Sequence, residues 1–296
     1  MAYVLAAAAL WSTFGLFAKV LYARGYAPLE LASVRSWIGW AGVAVVALAT
    51  RTPLRIRWAE VPFFAAYGIL GFAAFETLFF ATLERTQVGV AAALLYTAPA
   101  FVVVLSRLLW KEAIPPFRVA ALAALLVGIG LVTGAVGAVA SGAAVLPTPA
   151  LLLGLGSGLT YALYTLFSKV ATRRHSPVAA VFWSFAFAAL ALALVAEPVG
   201  PLLRAGGDVW ILVALGIVPT LLPYLCYLRA LRTLAASAAA MLASVEPVMA
   251  ALLGMAALGE RMGILRWSGV VVVAVAAGLL ARRMSRAVPT SPLPDR

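Results

Sequence analysis

Charge is what this sequence has least of. Charged residues make up 11% of its 296 positions, where a soluble domain carries roughly a quarter. Too few polar side chains are present to coat a globule in water, which excludes a soluble fold and implies lipid around the outer surface. There is one cysteine, Cys226, and one histidine, His175. A single cysteine excludes an intrachain disulfide and a cysteine-built zinc cluster. The histidine follows Arg173 and Arg174 in a polar break and reads as a solvated loop residue, so no metal site is expected. HExxH, P-loop, GxSxG and EF-hand patterns are all missing. A lipid-processing enzyme would need acids, histidines or serines clustered at one interface, and none stand out. The sequence therefore predicts no catalytic residue, no enzyme and no cofactor.

What is there is apolar. Hydrophobic residues are 65% of the chain and its mean hydropathy is +1.06. A membrane-spanning helix needs about 20 mostly apolar residues. Breaks at charge, proline and glycine divide the chain into about ten such segments: 3–22, 28–49, 60–82, 86–107, 117–136, 149–171, 177–197, 209–229, 234–258 and 265–282. The predicted fold class is an all-α integral membrane bundle. The Ala-rich run Ala6–Ala9 resembles a signal peptide, but the apolar stretch continues through Trp11 and Phe17 to Val20, which predicts a retained first helix. The stretch from Ser285, with Pro289, Pro292 and Pro294, reads as a disordered tail, 285–296.

The net charge of +12 suggests nucleic acid only until its distribution is read. On the side reached after even-numbered helices lie Arg51, Arg55, Arg57, Arg107, Lys111, Arg118, Arg173, Arg174, Arg229, Arg232, Arg282, Arg283 and Arg286, thirteen in all; the other side has five, Arg24, Arg85, Arg204, Arg261 and Arg266. Basic residues concentrate on the cytoplasmic side of membrane proteins. The imbalance predicts an even number of helices, both termini in the cytoplasm and, for a bacterial chain, residence in the inner membrane. The partners expected are the bilayer and a small-molecule substrate, with no nucleic acid; the oligomeric state is left open.

The two halves resemble each other. WSTFGLFAKV from Trp11 to Val20 matches YALYTLFSKV from Tyr161 to Val170 at an offset of 150, and Pro99 and Glu112 match Pro247 and Glu260 at an offset of 148. The division is a first repeat over 1–140 and a second over 141–284. Five helices per half is an odd number, so the second half enters the membrane inverted, a recurrent transporter architecture. The ten-helix count and the twin blocks APAFVVVLSRLLWKE and VEPVMAALLGMAALGE resemble the drug/metabolite transporter superfamily, EamA type. Overall similarity and aromatic content are most like the YddG-type aromatic amino-acid exporters. The resemblance implies export of small organic solutes.

A passage on the axis of an inverted repeat must be lined by equivalent positions of both halves. Trp11 and Phe14 align with Tyr161 and Tyr164, Glu76 and Phe79 with Tyr224 and Tyr227, and Tyr96 with Ser244. The paired aromatics are spaced i,i+3 and share a helix face. Tyrosine hydroxyls and the Trp nitrogen are costly against lipid at mid-depth, so these ten positions are the candidate substrate-binding set. Arg35 lies seven residues into the second helix, about 10 Å deep at 1.5 Å per residue, and Glu76 lies equally deep on the third. A lone charge there is expensive, which predicts an Arg35–Glu76 ion pair, either a lock between helices or part of the site. Glu246 directly precedes Pro247, where the helix is locally broken, and is a candidate proton site or structural acid. The expected function is alternating-access export through a central aromatic-lined cavity, with aromatic amino acids favoured and drug-like organic cations as a further class. The alternatives are a permease for other amino acids or a nucleotide-sugar-like solute, and a non-transporting membrane scaffold subunit.

Overall fold

A computed structural model describes residues 1–143, 147–259 and 261–286, and places helix in every apolar segment. Lipid offers the backbone no hydrogen bonds, so a crossing segment must satisfy its own peptide groups, which a helix does. The ten long helices among the described residues are α1 (Ala2–Ala23), α2 (Pro28–Ala49), α3 (Trp58–Leu83), α4 (Val88–Trp110), α5 (Pro116–Val132), α6 (Thr148–Ala171), α7 (Pro177–Ala193), α8 (Gly206–Leu231), α9 (Ala236–Leu258) and α10 (Ile264–Arg286), with short helical turns at Ala135–Ala140 and Val199–Leu203 between them. Proline opens α2, α5 and α7, where its missing N–H is not needed. Ser176 caps α7 by accepting from the Ala179 amide at 3.1 Å.

Eight of these are long and apolar enough to cross a membrane; α5 and α7 are apolar but have 17 residues each. Both stop earlier than the sequence predicts. Gly134, at φ +78°, ends the helical path of α5 with a left-handed residue, and beyond α7 Pro198 disfavours helix at Glu197 and would clash with the Leu194 carbonyl in a continued helix. At the other end of the chain, Ser285 and Arg286 belong to α10 rather than to a tail; the rest of the expected tail, and Glu260, lie outside the described residues.

The repeat reaches the level of single elements. The segments of α3, α4, α8 and α9 recur 148 residues apart, including their irregularities: five-residue π-helical stretches at Ile69–Ala73 and Ile217–Leu221, breaks after Leu95 and Ala243, and left-handed terminal residues at Lys111 and Gly259. The packing repeats as well. Where α1 packs on α8 and α9, α6 packs on α3 and α4; where α2 packs on α8, α7 packs on α3; and α2–α7, α4–α9 and α5–α10 are self-related pairs. Exchanging the halves maps the bundle onto itself. With five crossings in each, the second half is inverted and both ends of the helical chain reach the same face.

Three irregularities shape the centre. Pro219 has no N–H to give the Leu215 carbonyl, and the Thr220 hydroxyl takes that carbonyl at 2.8 Å, within the π-helical stretch of α8. Its repeat mate is Gly71, where a Cβ would stand 2.9 Å from the Tyr164 Cα, so the α6 backbone closes directly on α3. Pro99 and Pro247 withdraw donors from the Leu95 and Ala243 carbonyls, and α4 and α9 break there. Finally, α1 breaks at Thr13, where Ser12 and Thr13 bond back to the Ala9 and Leu10 carbonyls at 2.7 Å each, a pattern that bends helices. Its mate α6 is unbroken.

Candidate functional site

The breaks in α4 and α9 face each other across the bundle axis and bring Tyr96, Tyr161 and Glu246 together. These three line two adjoining cavities. The larger, about 140 Å³, is walled by Trp11, Phe14, Phe75, Phe79 and Phe80, with Arg35, Glu76 and Pro219 among its lining. The smaller, about 20 Å³, continues toward the face holding the chain ends and is lined by Pro99, Thr165, Tyr227 and Ser244. It has room for about one water. Together they form a vestibule that narrows at the level of Tyr96, Tyr161 and Glu246.

The charged groups of the site are held by their neighbours. Arg35 pairs with Glu76; both are buried, with side chains 6% and 3% exposed. The guanidinium also reaches the Thr220 hydroxyl at 3.4 Å and lies over the rings of Phe14, 5.0 Å away, and Phe72, 5.8 Å away. The π-helical stretch of α8 thus presents Thr220 to Arg35 while using the same oxygen to satisfy Leu215. Glu246 begins the second part of α9, directly after the break, and the Tyr96 hydroxyl lies against its carboxylate. Ser244, in the break, bonds back to the Ala240 carbonyl at 3.1 Å.

Of the ten positions expected to bind substrate, the structure brings Trp11, Phe14, Glu76, Phe79, Tyr96 and Tyr161 to the larger cavity, and Tyr227 and Ser244 to the smaller one, which Tyr96 and Tyr161 also line. Tyr164 and Tyr224 line neither. They sit in a buried aromatic core, where Tyr224 packs edge-on against Tyr164 at 5.2 Å and against Trp11 at 5.3 Å. That core continues toward the face of the chain ends through Tyr67, whose hydroxyl meets Ser168 at 2.6 Å, and Tyr227, which meets Thr165 at 3.2 Å.

The sequence matches the EamA-like transporter family over residues 1–134 and 148–282. The chain belongs to this family. Each matched stretch is one set of five helices. An uncharacterized transporter of Archaeoglobus fulgidus is 31% identical over 198 residues, 66% of this chain and 68% of its own. Uncharacterized transporter YwfM of Bacillus subtilis is 27% identical over 92% of this chain and 90% of its own. The threonine/homoserine exporter RhtA of Escherichia coli is 31% identical over 143 residues, 45% of this chain and 46% of its own. A crystal structure aligns over 95% of this chain and 97% of its own with a TM-score of 0.78 at 24% identity, a likeness of fold.

In this EamA-family chain the repeat-based reading overlooked three aromatic or kinked wall positions, Phe75, Phe80 and Pro219. Their mates are Pro223, Leu228 and Gly71. None of these pairs is aromatic in both halves, so a search for matched aromatics passes over them. The signal that does point to Phe75 is its place beside Glu76.

Proposed function

We propose that this multi-pass EamA-family transporter exports amino acids across a bacterial inner membrane, with both termini in the cytoplasm and aromatic amino acids favoured. The observation that carries the reading is that Arg35, Glu76 and Glu246 open onto one aromatic-walled cavity. A free amino acid brings one carboxylate and one ammonium. The carboxylate suits the Arg35 guanidinium, which offers paired donors; the ammonium suits Glu246 and the Tyr96 and Tyr161 ring faces. The side chain then lies among Trp11, Phe14 and Phe79. Arg35 is already neutralised by Glu76, and a zwitterion adds no net charge to the site. A nucleotide-sugar-like solute fits less well, because its phosphates would meet one paired cation and two acids. Export as the direction follows the family resemblance and the similarity to the exporter RhtA.

One observation favours a second substrate range. The cavity of about 140 Å³ is below the roughly 300–1,000 Å³ of sites for drug-sized ligands, which favours small amino acids such as the threonine and homoserine of RhtA's name. Counterflow into proteoliposomes with radiolabelled phenylalanine, tryptophan, threonine and homoserine tests both. Phenylalanine or tryptophan flux above threonine flux supports the aromatic preference. Flux of threonine and homoserine alone supports the small-solute range. Absence of flux for every amino acid refutes the proposal.

A further inference from the structure

The repeat makes the two membrane faces comparable position by position, and they differ in their ion pairs. On the face away from the chain ends, two ion pairs tie the first half to the second: Arg24 with Asp208, and Arg204 with Glu30 at 2.5 Å. On the other face, Glu60 stands where the repeat puts the mate of Asp208, and it meets His175 at 3.3 Å, next to Arg173 and Arg174. The second pair has no counterpart. The start of α7 follows that of α2 by 149 residues, so Glu30 is replaced by Ala179. Arg204 corresponds to Ile56, flanked by Arg55 and Arg57. The cations are kept and the carboxylate is gone.

A cleft opens at this place. Arg55, Arg57, Arg174, His175 and Ala179 line a cavity of about 620 Å³, and a second one of about 410 Å³ adjoins it, sharing Arg57, Glu60, Arg174 and His175 and lined further by Arg173, Phe63 and Val170. Arg55 and Arg174 make no ion pair among the described residues. Glu60 borders both cavities, but its carboxylate is engaged by the Arg57 amide at 2.9 Å and by His175. Trp58, at the head of α3 and 91% exposed, stands beside Arg57. Exposed tryptophans at helix ends mark the headgroup level of a bilayer. The clefts are therefore basic at their rim, partly apolar at Phe63 and Val170, and level with lipid headgroups.

We infer that this cleft binds an anionic phospholipid, its phosphate taking the place between Arg55 and Arg174 that a carboxylate takes on the opposite face. Guanidinium forks match phosphate oxygens, and Phe63 and Val170 accept the glycerol and upper acyl carbons. Because one wall comes from the α2–α3 connection and the other from the α6–α7 connection, the lipid spans both halves.

Native mass spectrometry of the full-length protein in mild detergent tests this, with dioleoyl-phosphatidylglycerol, dioleoyl-phosphatidylcholine and inorganic phosphate as the three probes. One phosphatidylglycerol per chain is expected to persist under conditions that strip phosphatidylcholine. The double variant Arg55→Gln/Arg174→Gln should lose it several-fold, Arg55→Lys/Arg174→Lys should lose less, and Arg232→Gln, an exposed arginine of the same face, should not change it. All these side chains are exposed, so the variants should fold; unchanged melting in detergent checks that. Equal retention of the two lipids, or undiminished phosphatidylglycerol on the Arg55→Gln/Arg174→Gln protein, overturns the site. So does saturation by inorganic phosphate with no further gain from lipid, since the ligand is then a free anion.

Discussion

Arg35 and Glu76 are each tolerable at their depth because of the other. Replacing one partner of a buried pair leaves an uncompensated charge, a loss of about 3–5 kcal/mol. Arg35→Met or Glu76→Leu alone should therefore lower the melting temperature sharply in detergent, and the double variant should be milder than the sum of the two. Additive losses in that double-mutant cycle would mean the contact carries no coupling. The tyrosines separate by the same kind of argument. The Tyr67 hydroxyl has Ser168 as its partner, whereas the Tyr164 hydroxyl is buried without a protein partner. Tyr67→Phe should destabilise by about 0.5–1.5 kcal/mol, the net worth of a hydrogen bond, and Tyr164→Phe should be neutral or stabilising by the same melting assay. A larger loss for Tyr164→Phe would contradict this reading of its surroundings. Residue-level legibility was uneven for a geometric reason. Matching depth was enough to pair Arg35 with Glu76. Spacing of i,i+3 was not enough to place a whole set on one wall, because three residues of α-helix fall about 60° short of a full turn. Tyr161 consequently reaches the cavity while Tyr164 turns into the core, and Tyr227 reaches the smaller cavity while Tyr224 does not.

Among the elements, the ten helices were legible because hydropathy alone decides what crosses a bilayer, and the break in α9 was legible at Pro247; the break in α4, at the matching Pro99, was not read. The π-helical stretches were not. They depend on what replaces a lost backbone bond, at Pro219 a threonine one residue later, at Gly71 the approach of another helix. Neither replacement has a periodic signature. The account at α8 can be tested within the element. Thr220→Val leaves the Leu215 carbonyl unpaired, a loss of about 1–3 kcal/mol, and removes a contact of Arg35. In a Pro219→Ala background the restored amide can supply Leu215, so the same Thr220→Val change should be less harmful. Equal melting losses in the two backgrounds would show that Thr220 does not compensate for the proline.

For the whole molecule, the inverted repeat and the distribution of arginines make a joint prediction. Cytoplasmic reporters fused at either end should be active and periplasmic reporters silent, and reporters placed after Glu84 or Gly142 should show the reverse. A periplasmic signal at one end only would break the even count of crossings. The repeat also states what the other conformation looks like. Two halves that can trade positions must also trade shapes. In the structure, the break belongs to α1 at Thr13, while α6 is continuous through the matching position, Leu163. Export of the kind proposed above, by exchange of the two halves' roles, requires that α1 become continuous and that α6 break at the matching place. The two positions would then serve as one joint used alternately: Thr13 bonds its hydroxyl back to the Leu10 carbonyl at the break, and Leu163 has no hydroxyl to do the same. On that proposal the form seen here is the favoured one, and the exchanged form is reached when a bound solute makes up the difference.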